Sequence, residues 1–388
     1  MFEGVHFVAP FFKSYLFNNS FISFSKMTNK KINILFCLDH RFSLPVTVLI
    51  DSLIRNSQQK DYAETNCEMN IFLYSERKYL PKIQNYIESR LLSKKQSSLT
   101  ENKLSLNFHY CAMEDCSLFS KLANAVNSIL AKVSKYLSFA TLYRLLAIDD
   151  LSKKIDKVLF LDVDILCYGS IFELYNIDVK DSYAAVVEDS RESTDRFKQI
   201  FPEWSNKHYF NAGMLLVNLS FWHTDQITKR LVDFIVSEKP LNFADQDALN
   251  YILDDKHLIY LPKKYNALIK IDKSWDKVSN NEEFPVLIHY AGYRRNKPWK
   301  PNTDLKNKWN YLYQSYMEHI EPNHKYWWAL KSSEKILWCP ETEKDFKLMA
   351  IHSLKKFRIF TSVVCFVKYL HLKNINYRNR YKDLRISK

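Results

Sequence analysis

The chain has 388 residues, 47% hydrophobic and 26% charged, which excludes a disordered or fibrous polypeptide and allows one or two domains around a large core. Its 4 Gly include neither a Gly-x-Gly-x-x-Gly nor a Walker sequence, so any phosphate must be held by side chains and metal rather than by a glycine-rich loop. The net charge is +13, but Ile351 to Lys388 alone holds ten Lys/Arg against Asp383, so the excess is a basic tail on an otherwise balanced chain.

The first 26 residues are rich in Phe and lack a basic n-region; a signal peptide is not expected, and residues 1–30 are read as an N-terminal extension with Met27 a candidate start. Lys30 to Leu38 is a predicted strand ending at Asp39-His40-Arg41, and Ser43 to Arg55 a helix with Val46, Leu49, Ile50 and Leu53 on one face. Cys67 to Tyr74 is a second strand, Leu80 to Leu92 a helix opened by Pro81, and Leu104 to Tyr110 a third strand. This alternation predicts a mostly parallel sheet with helices on both faces, an α/β fold. Leu118 to Ile148 is predicted as one helix, carrying Arg144.

Lys157 to Leu161 then reads as a buried strand that runs into Asp162-Val163-Asp164. In open α/β sheets the carboxyl ends of strands are where ligands bind. Two carboxylates there need a cation, or one must take up a proton. A hard divalent ion shared with a phosphorylated ligand is the simplest solution, and a strand-end pair capping a turn is the alternative. Further strands are predicted at Tyr183 to Val187, within His208 to Leu219, and at Val286 to Ile288; Asp225 to Val236 is a helix, and Ala244 to Leu253 another with Asp245-Gln246-Asp247 at its start. His289 follows the last strand, with Gly292 and Lys297 beyond it. A His added to two Asp leaves positions open for phosphate oxygens and favours Mn²⁺ over Mg²⁺. The domain boundary is expected near residue 300.

Leu161-Asp162-Val163-Asp164, Tyr209-Phe-Asn211-Ala-Gly213-Met-Leu-Leu-Val-Asn-Leu219, Asp245-Gln246-Asp247-Ala-Leu-Asn250 and His289-Tyr-Ala-Gly292…Lys297-Pro-Trp299 occur in that order. The set resembles the family-8 retaining glycosyltransferases, especially the bacterial lipopolysaccharide α-galactosyl- and α-glucosyltransferases, over roughly Lys31 to Trp299. The resemblance implies a GT-A fold over 31–300, a UDP-hexose donor and Mn²⁺, with Asp162, Asp164 and His289 as metal ligands. It implies donor contacts from Asp39 (uridine), Arg144, Asp162 and Val163, and from Gly292 and Lys297 (diphosphate). Asn211, Asp245 and Gln246 become sugar-site residues, with Asp245 or Gln246 beside the reacting carbon. Four residues separate Gly292 from Lys297 where relatives commonly have two, and His40-Arg41 follows Asp39 where relatives often carry Asp and Asn.

Seven Cys without a Cys-x-x-Cys read as reduced, buried thiols of a cytoplasmic protein. No apolar run reaches the ~18 residues of a membrane span. The tail, residues 301–388, interleaves Lys and Arg with Trp, Tyr and Phe, which suits peripheral attachment to the anionic cytoplasmic face of an inner membrane that holds a lipid-linked glycan acceptor. Nucleic acid is not an expected partner, because the charge sits in a tail and no recognition motif is present. A glycogenin-like self-glucosylating enzyme and a non-catalytic sugar-nucleotide-binding membrane protein are the alternatives.

Overall fold

The apolar runs pair as seven strands of one sheet in a computed structural model that describes residues 30–56, 67–92, 104–124, 139–237, 241–278, 284–292, 297–300 and 307–321. The ten strands in chain order are β1 Lys30–Cys37, β2 Cys67–Ser75, β3 Leu104–Ala112, β4 Lys157–Leu161, β5 Ile165–Cys167, β6 Ala184–Glu188, β7 Phe210–Asn218, β8 Leu258–Tyr260, β9 Ala267–Leu268 and β10 Leu287–His289. The large sheet has the order β3-β2-β1-β4-β7-β6-β8, and the small one β5-β10-β9. Every neighbouring pair in the large sheet is parallel except those of β7, which runs against both β4 and β6.

Both faces of the large sheet are covered, and alternate residues feed separate cores. On one side lie Ile34, Phe36, Leu159, Leu161, Met214 and Leu216. On the other lie Leu35, Val158, Phe160, Leu215 and Val217. All nine residues of β7 are buried, as a central strand sandwiched on both sides requires.

The chain proceeds outward from β1 to β3, then returns to place β4 on the other side of β1. Between β1 and β4 the winding direction switches, and in open α/β sheets the crevice outside the carboxyl ends at such a point is where ligands bind. Asp39 follows β1 and Asp162 follows β4, so both stand at that crevice.

Two sequence expectations change. The helix predicted over 118–148 is interrupted: a helix starts at residue 119, and a 3-10 turn, Phe139–Leu142, leads into a separate helix, Tyr143–Leu151. Apolar spacing continues through such a break and does not mark it. The last predicted strand, β10, belongs to the small sheet. Strands β8 and β9, of three and two residues, carry too little pattern to be read beforehand. Beyond the boundary expected near 300, the helix Lys308–Ile320 buries Trp309, Tyr313, Met317 and Ile320 in the first core. Tyr290 donates to the Trp309 carbonyl, and Gln314 Nε2 to the Pro298 carbonyl at 2.6 Å, tying that helix to the segment after β10.

Among the described residues no helix is long and apolar enough to cross a membrane, and Cys37, Cys67, Cys111, Cys116 and Cys167 are free thiols. The N-terminal extension up to residue 29 and the basic tail from residue 322 lie outside the described residues.

Candidate active site

Strand β4 ends at Leu161 and the chain turns at once into β5, with the Asp162 N–H bonded to the Gly213 carbonyl at 2.8 Å and the Ile165 N–H returning to the Asp162 carbonyl at 3.2 Å. Strand β5 pairs antiparallel with β10, and the register sets His289 opposite Ile165. A distant part of the chain is thereby delivered beside Asp164. His289 Nε2 lies 3.2 Å from Asp164 Oδ1 and 3.9 Å from Asp162 Oδ2. One ligand atom from each of Asp162, Asp164 and His289 falls within 4.8 Å of the others.

These residues fit a divalent cation. His289 Nδ1 is 2.8 Å from Asn266 Oδ1, while Asn266 Nδ2 donates to Asn211 Oδ1 at 2.9 Å. With the Asn266 amide oriented that way, Nδ1 carries a proton and Nε2 points its lone pair at a carboxylate. Lone pairs facing each other at that distance call for a proton or a metal between them. Two carboxylate oxygens and one imidazole nitrogen, with positions left open, are a donor set suited to Mn²⁺ or Mg²⁺.

The two acids differ electrostatically. Burial works against ionisation of Asp164, but the Lys297 ammonium outweighs it and holds its carboxyl well below the usual range. Burial pushes Asp162 up, against the opposing Arg144 charge and with the Asp164 carboxylate adding to the rise. Lys297 is buried and donates to Asp164 Oδ2 and, at 2.7 Å, to the Tyr290 carbonyl. The longer stretch between Gly292 and Lys297 therefore does not prevent this lysine from reaching the acids.

Arg144 stands in the first turn of its helix among apolar neighbours and needs partners. Its Nη2 donates to Asp162 Oδ1 at 3.0 Å, Nη1 to the Ala212 carbonyl, and Nε lies 2.6 Å from Asp245 Oδ2 as an ion pair without hydrogen-bond alignment. The guanidinium also lies over the Phe160 ring, 4.4 Å from its centroid. The residues thus meet a pattern that matches a known family: the model for glycosyl transferase family 8 covers residues 33–303.

The chain belongs to glycosyl transferase family 8. It is 36% identical over 168 residues to a lipopolysaccharide 1,2-glucosyltransferase of Escherichia coli, across 40% of this chain and 48% of that one. So it spans about half the length of that relative. A second lipopolysaccharide 1,2-glucosyltransferase, of E. coli K12, is 26% identical over 320 residues, 74% of this chain and 87% of the relative. The solved structure of the galactosyltransferase LgtC with donor and acceptor sugar analogues superposes with a TM-score of 0.52 at 18% identity, covering 74% of this chain and 96% of LgtC. That likeness concerns the fold, which is GT-A-like.

Within this family-8 chain, a second group of side chains surrounds β7. Gln246 Oε1 accepts from the Ala212 N–H at 3.0 Å and from Asn211 Nδ2 at 3.2 Å. Asn211 Oδ1 accepts from the Gly213 N–H at 3.0 Å, and its Nδ2 donates to Asp189 Oδ2 at 2.9 Å. Asp245 is 2% exposed and meets Arg144 rather than solvent; burial, opposed by Arg144 and reinforced by Asp162, pushes its carboxyl up to about 6. The second Asp-x-Asp of the sequence is not a metal pair. Asp247 is fully buried, accepts from Tyr209 Oη at 2.5 Å and from the Asn242 and Phe243 N–H groups at 2.6 and 2.8 Å, and so closes the turn before its helix.

Asp39 stands apart from both groups. It caps the turn His40–Phe42 and is held bidentately by Arg41, with Nε 3.0 Å from each carboxylate oxygen. Burial would raise its carboxyl, but the Arg41 hydrogen bonds prevail and lower it. Val163 is half-buried against the first core between Asp162 and Asp164. Gly292 is exposed with φ of +104°, a backbone conformation that favours glycine.

Sequence pattern does not single out Asp189, Asn266, or the reason for Gly213. Asp189 follows a buried strand, β6, the same positional signal that marks Asp162, and could have been found by it. Asn266, in a turn before the two-residue β9, carries no such signal. Gly213 is needed because a Cβ there would lie 2.2 Å from His289 Cε1.

Proposed function

We propose that this chain is a metal-dependent retaining glycosyltransferase that moves a hexose, galactose or glucose, from a UDP-sugar to a sugar hydroxyl of a lipopolysaccharide, lipooligosaccharide or related glycan. The observation that carries this reading is the convergence of Asp162, Asp164 and His289 at the switch-point crevice of a family-8 chain. The same kind of reaction appears in the names of the E. coli relatives.

Asp162, Asp164 and His289 would hold the divalent ion, which supplies Lewis-acid neutralisation of charge on the departing diphosphate. Lys297 adds a fixed positive charge at the same oxygens once they compete with Asp164 for its ammonium. Arg144 keeps Asp162 and Asp245 paired, so neither acid needs to leave its position when the donor enters. On the other side of the sugar, Gln246 is oriented by the Ala212 N–H and Asn211. Gln246 or Asp245 would stabilise an anomeric carbon that becomes oxocarbenium-like as in glycoside hydrolysis. The departing phosphate accepts the acceptor's proton, so no strong general base is required.

UDP release from UDP-glucose, UDP-galactose and their N-acetyl forms, with and without Mn²⁺, tests the reading. Release from one hexose donor only when metal is present is expected; release from none, in the presence of a lipopolysaccharide-core acceptor, would sink it. The net +9 of residues 351–388 supports attachment to an anionic cytoplasmic membrane face, at about 1 kcal/mol per cation near the surface. Flotation with phosphatidylglycerol vesicles should fall when Lys368, Lys373, Arg378 and Arg380 are changed together to Gln in the full chain.

A further inference from the structure

Lys270 lies two residues beyond β9, in the turn where the Ile271 and Asp272 N–H groups return to the Leu268 carbonyl at 3.0 and 2.8 Å. Strand β9 pairs in parallel with β10, with His289 opposite Leu268. The turn holding Lys270 and the segment Tyr290–Gly292 therefore leave the small sheet at the same edge. Lys270 Nζ is screened from solvent and, among the described residues, has no hydrogen-bond partner. The Tyr290 ring centroid is 5.9 Å from it, at the outer limit of a cation–π contact. Tyr290 also supplies the carbonyl that receives Lys297.

A buried ammonium without partners is costly, and a second ammonium nearby makes it worse. Burial pushes Lys270 down to about 8, with Lys297 adding to the fall and Asp164 opposing it. So the three groups lie within electrostatic reach of one another. The charges linked to the two acids after β4 through Arg144 and Lys297 show what is missing. Asp162, Asp164 and Asp245 are matched by Arg144, Lys297 and Lys270, leaving no net charge. Entry of a divalent cation leaves an excess of two positive charges. The diphosphate diester of a sugar nucleotide carries formally two negative charges and cancels it. Without Lys270 the loaded site would be left negative, opposing the charge that grows on the leaving group.

We propose that Lys270 is a second diphosphate-binding lysine of the donor site, acting with Lys297 on the phosphate farther from the nucleoside. This inference rests on the UDP-sugar reading above. It assigns a chemical role to an otherwise unexplained buried cation, and no bond is made or broken by Lys270 itself.

Titration calorimetry of the full chain with UDP and with UMP, in Mn²⁺, separates the possibilities. For Lys270→Met, UDP is expected to bind about tenfold more weakly, with UMP unchanged within about twofold and Lys270→Arg restoring most of the UDP affinity. In thermal denaturation without nucleotide, Lys270→Met should melt at or above wild type, because an unpaired buried charge is gone, yet gain less from added UDP. Equal losses for UDP and UMP would reveal a structural residue, and unchanged UDP affinity a bystander; either overturns the assignment. Wild-type protein that binds neither nucleotide would instead refute the UDP-sugar reading itself.

Discussion

The two ends of the crevice solve different physical problems with different side chains. At the end proposed to hold the metal, Asp162 and Asp164 retain 30% and 15% side-chain exposure and sit among Lys297, Arg144 and His289. Charge dominates there, and the partners can be exchanged: Lys297 holds Asp164 now and would share it with a phosphate later. At the sugar end, Asn211, Gln246, Asn266 and Asp189 form a mostly buried chain of amides closed by one carboxylate. Neutral groups exert weak long-range fields but fix direction. One end supplies electrostatic strength and the other orientation, with Arg144 joining them through Asp162 and Asp245.

If charge dominates the metal end, Asp164→Asn should have the largest effect of any single change. It removes a ligand, strips Lys297 of its acid and leaves His289 Nε2 without its neighbour. Turnover is expected to fall on the order of 10³-fold or more. The thermal shift produced by Mn²⁺ should vanish with it. A variant that kept both would show that the ion is held elsewhere.

The orienting end reaches the proposed metal site through the Asn266–His289 contact. Asn266→Ala should weaken Mn²⁺ binding by about 10- to 100-fold, the usual cost of losing a partner behind a ligating imidazole. Gly213→Ala should do the same for a steric reason, since its Cβ would meet His289 Cε1 at 2.2 Å and force the ring aside. Calorimetry with Mn²⁺ measures both. If Asn266→Ala left metal affinity intact while sugar-dependent turnover collapsed, the amide chain would serve the sugar alone and the link between the two ends would break.

What is legible in the sequence divides in the same way. Asp162 and Asp164 announce themselves because a charged pair after the apolar run Val158 to Leu161 is locally anomalous. His289 and Lys297 stand out after the apolar run of β10. Motif order suggests that they meet the acids, but the physical cause is the β5–β10 pairing, a contact that local pattern does not encode. Strand–helix alternation foreshadows the sheet around β1 and β4. The reversed direction of β7 has no such signal, because a strand buried on both faces reads the same either way. Asn266 and Lys270 stay hidden: an Asn in a turn and a Lys between apolar residues are ordinary until tertiary packing buries them. The helix Lys308–Ile320 is hard to see because the basic-aromatic character of the chain beyond it masks the buried stripe of Trp309, Tyr313 and Met317.

A third test concerns the joint between the ends. Asp245 has its folded pKa raised from 3.8 to about 6 by burial, against Arg144 and with help from Asp162. A raised folded pKa contributes stability that is fully present below the unfolded value and is lost as pH rises through about 6. The swing is at most about 3 kcal/mol. Asp245→Asn cannot titrate, so the stability difference between wild type and variant should change by up to that amount between about pH 4 and pH 7, measured by urea denaturation without metal. A constant difference would mean that Arg144 keeps Asp245 ionised throughout.

The smallest effect is expected away from both ends, at Asp39. Arg41 occupies its carboxylate and lowers its pKa despite burial. If Asp39 meets the uracil edge, it must share that carboxylate with the base. Arg41→Gln then frees the acceptor and should tighten uridine and UMP binding about threefold, while costing on the order of 1 kcal/mol of stability from a partly exposed ion pair. Because uridine lacks phosphate, its response isolates this contact from Lys297, Lys270 and the metal. Weaker uridine binding in Arg41→Gln would give the opposite assignment, in which Arg41 contacts the nucleoside and Asp39 only holds Arg41 in place. Asp39→Asn distinguishes the two further: in the first case it lowers uridine affinity even when Arg41 is already Gln, and in the second it has no additional effect.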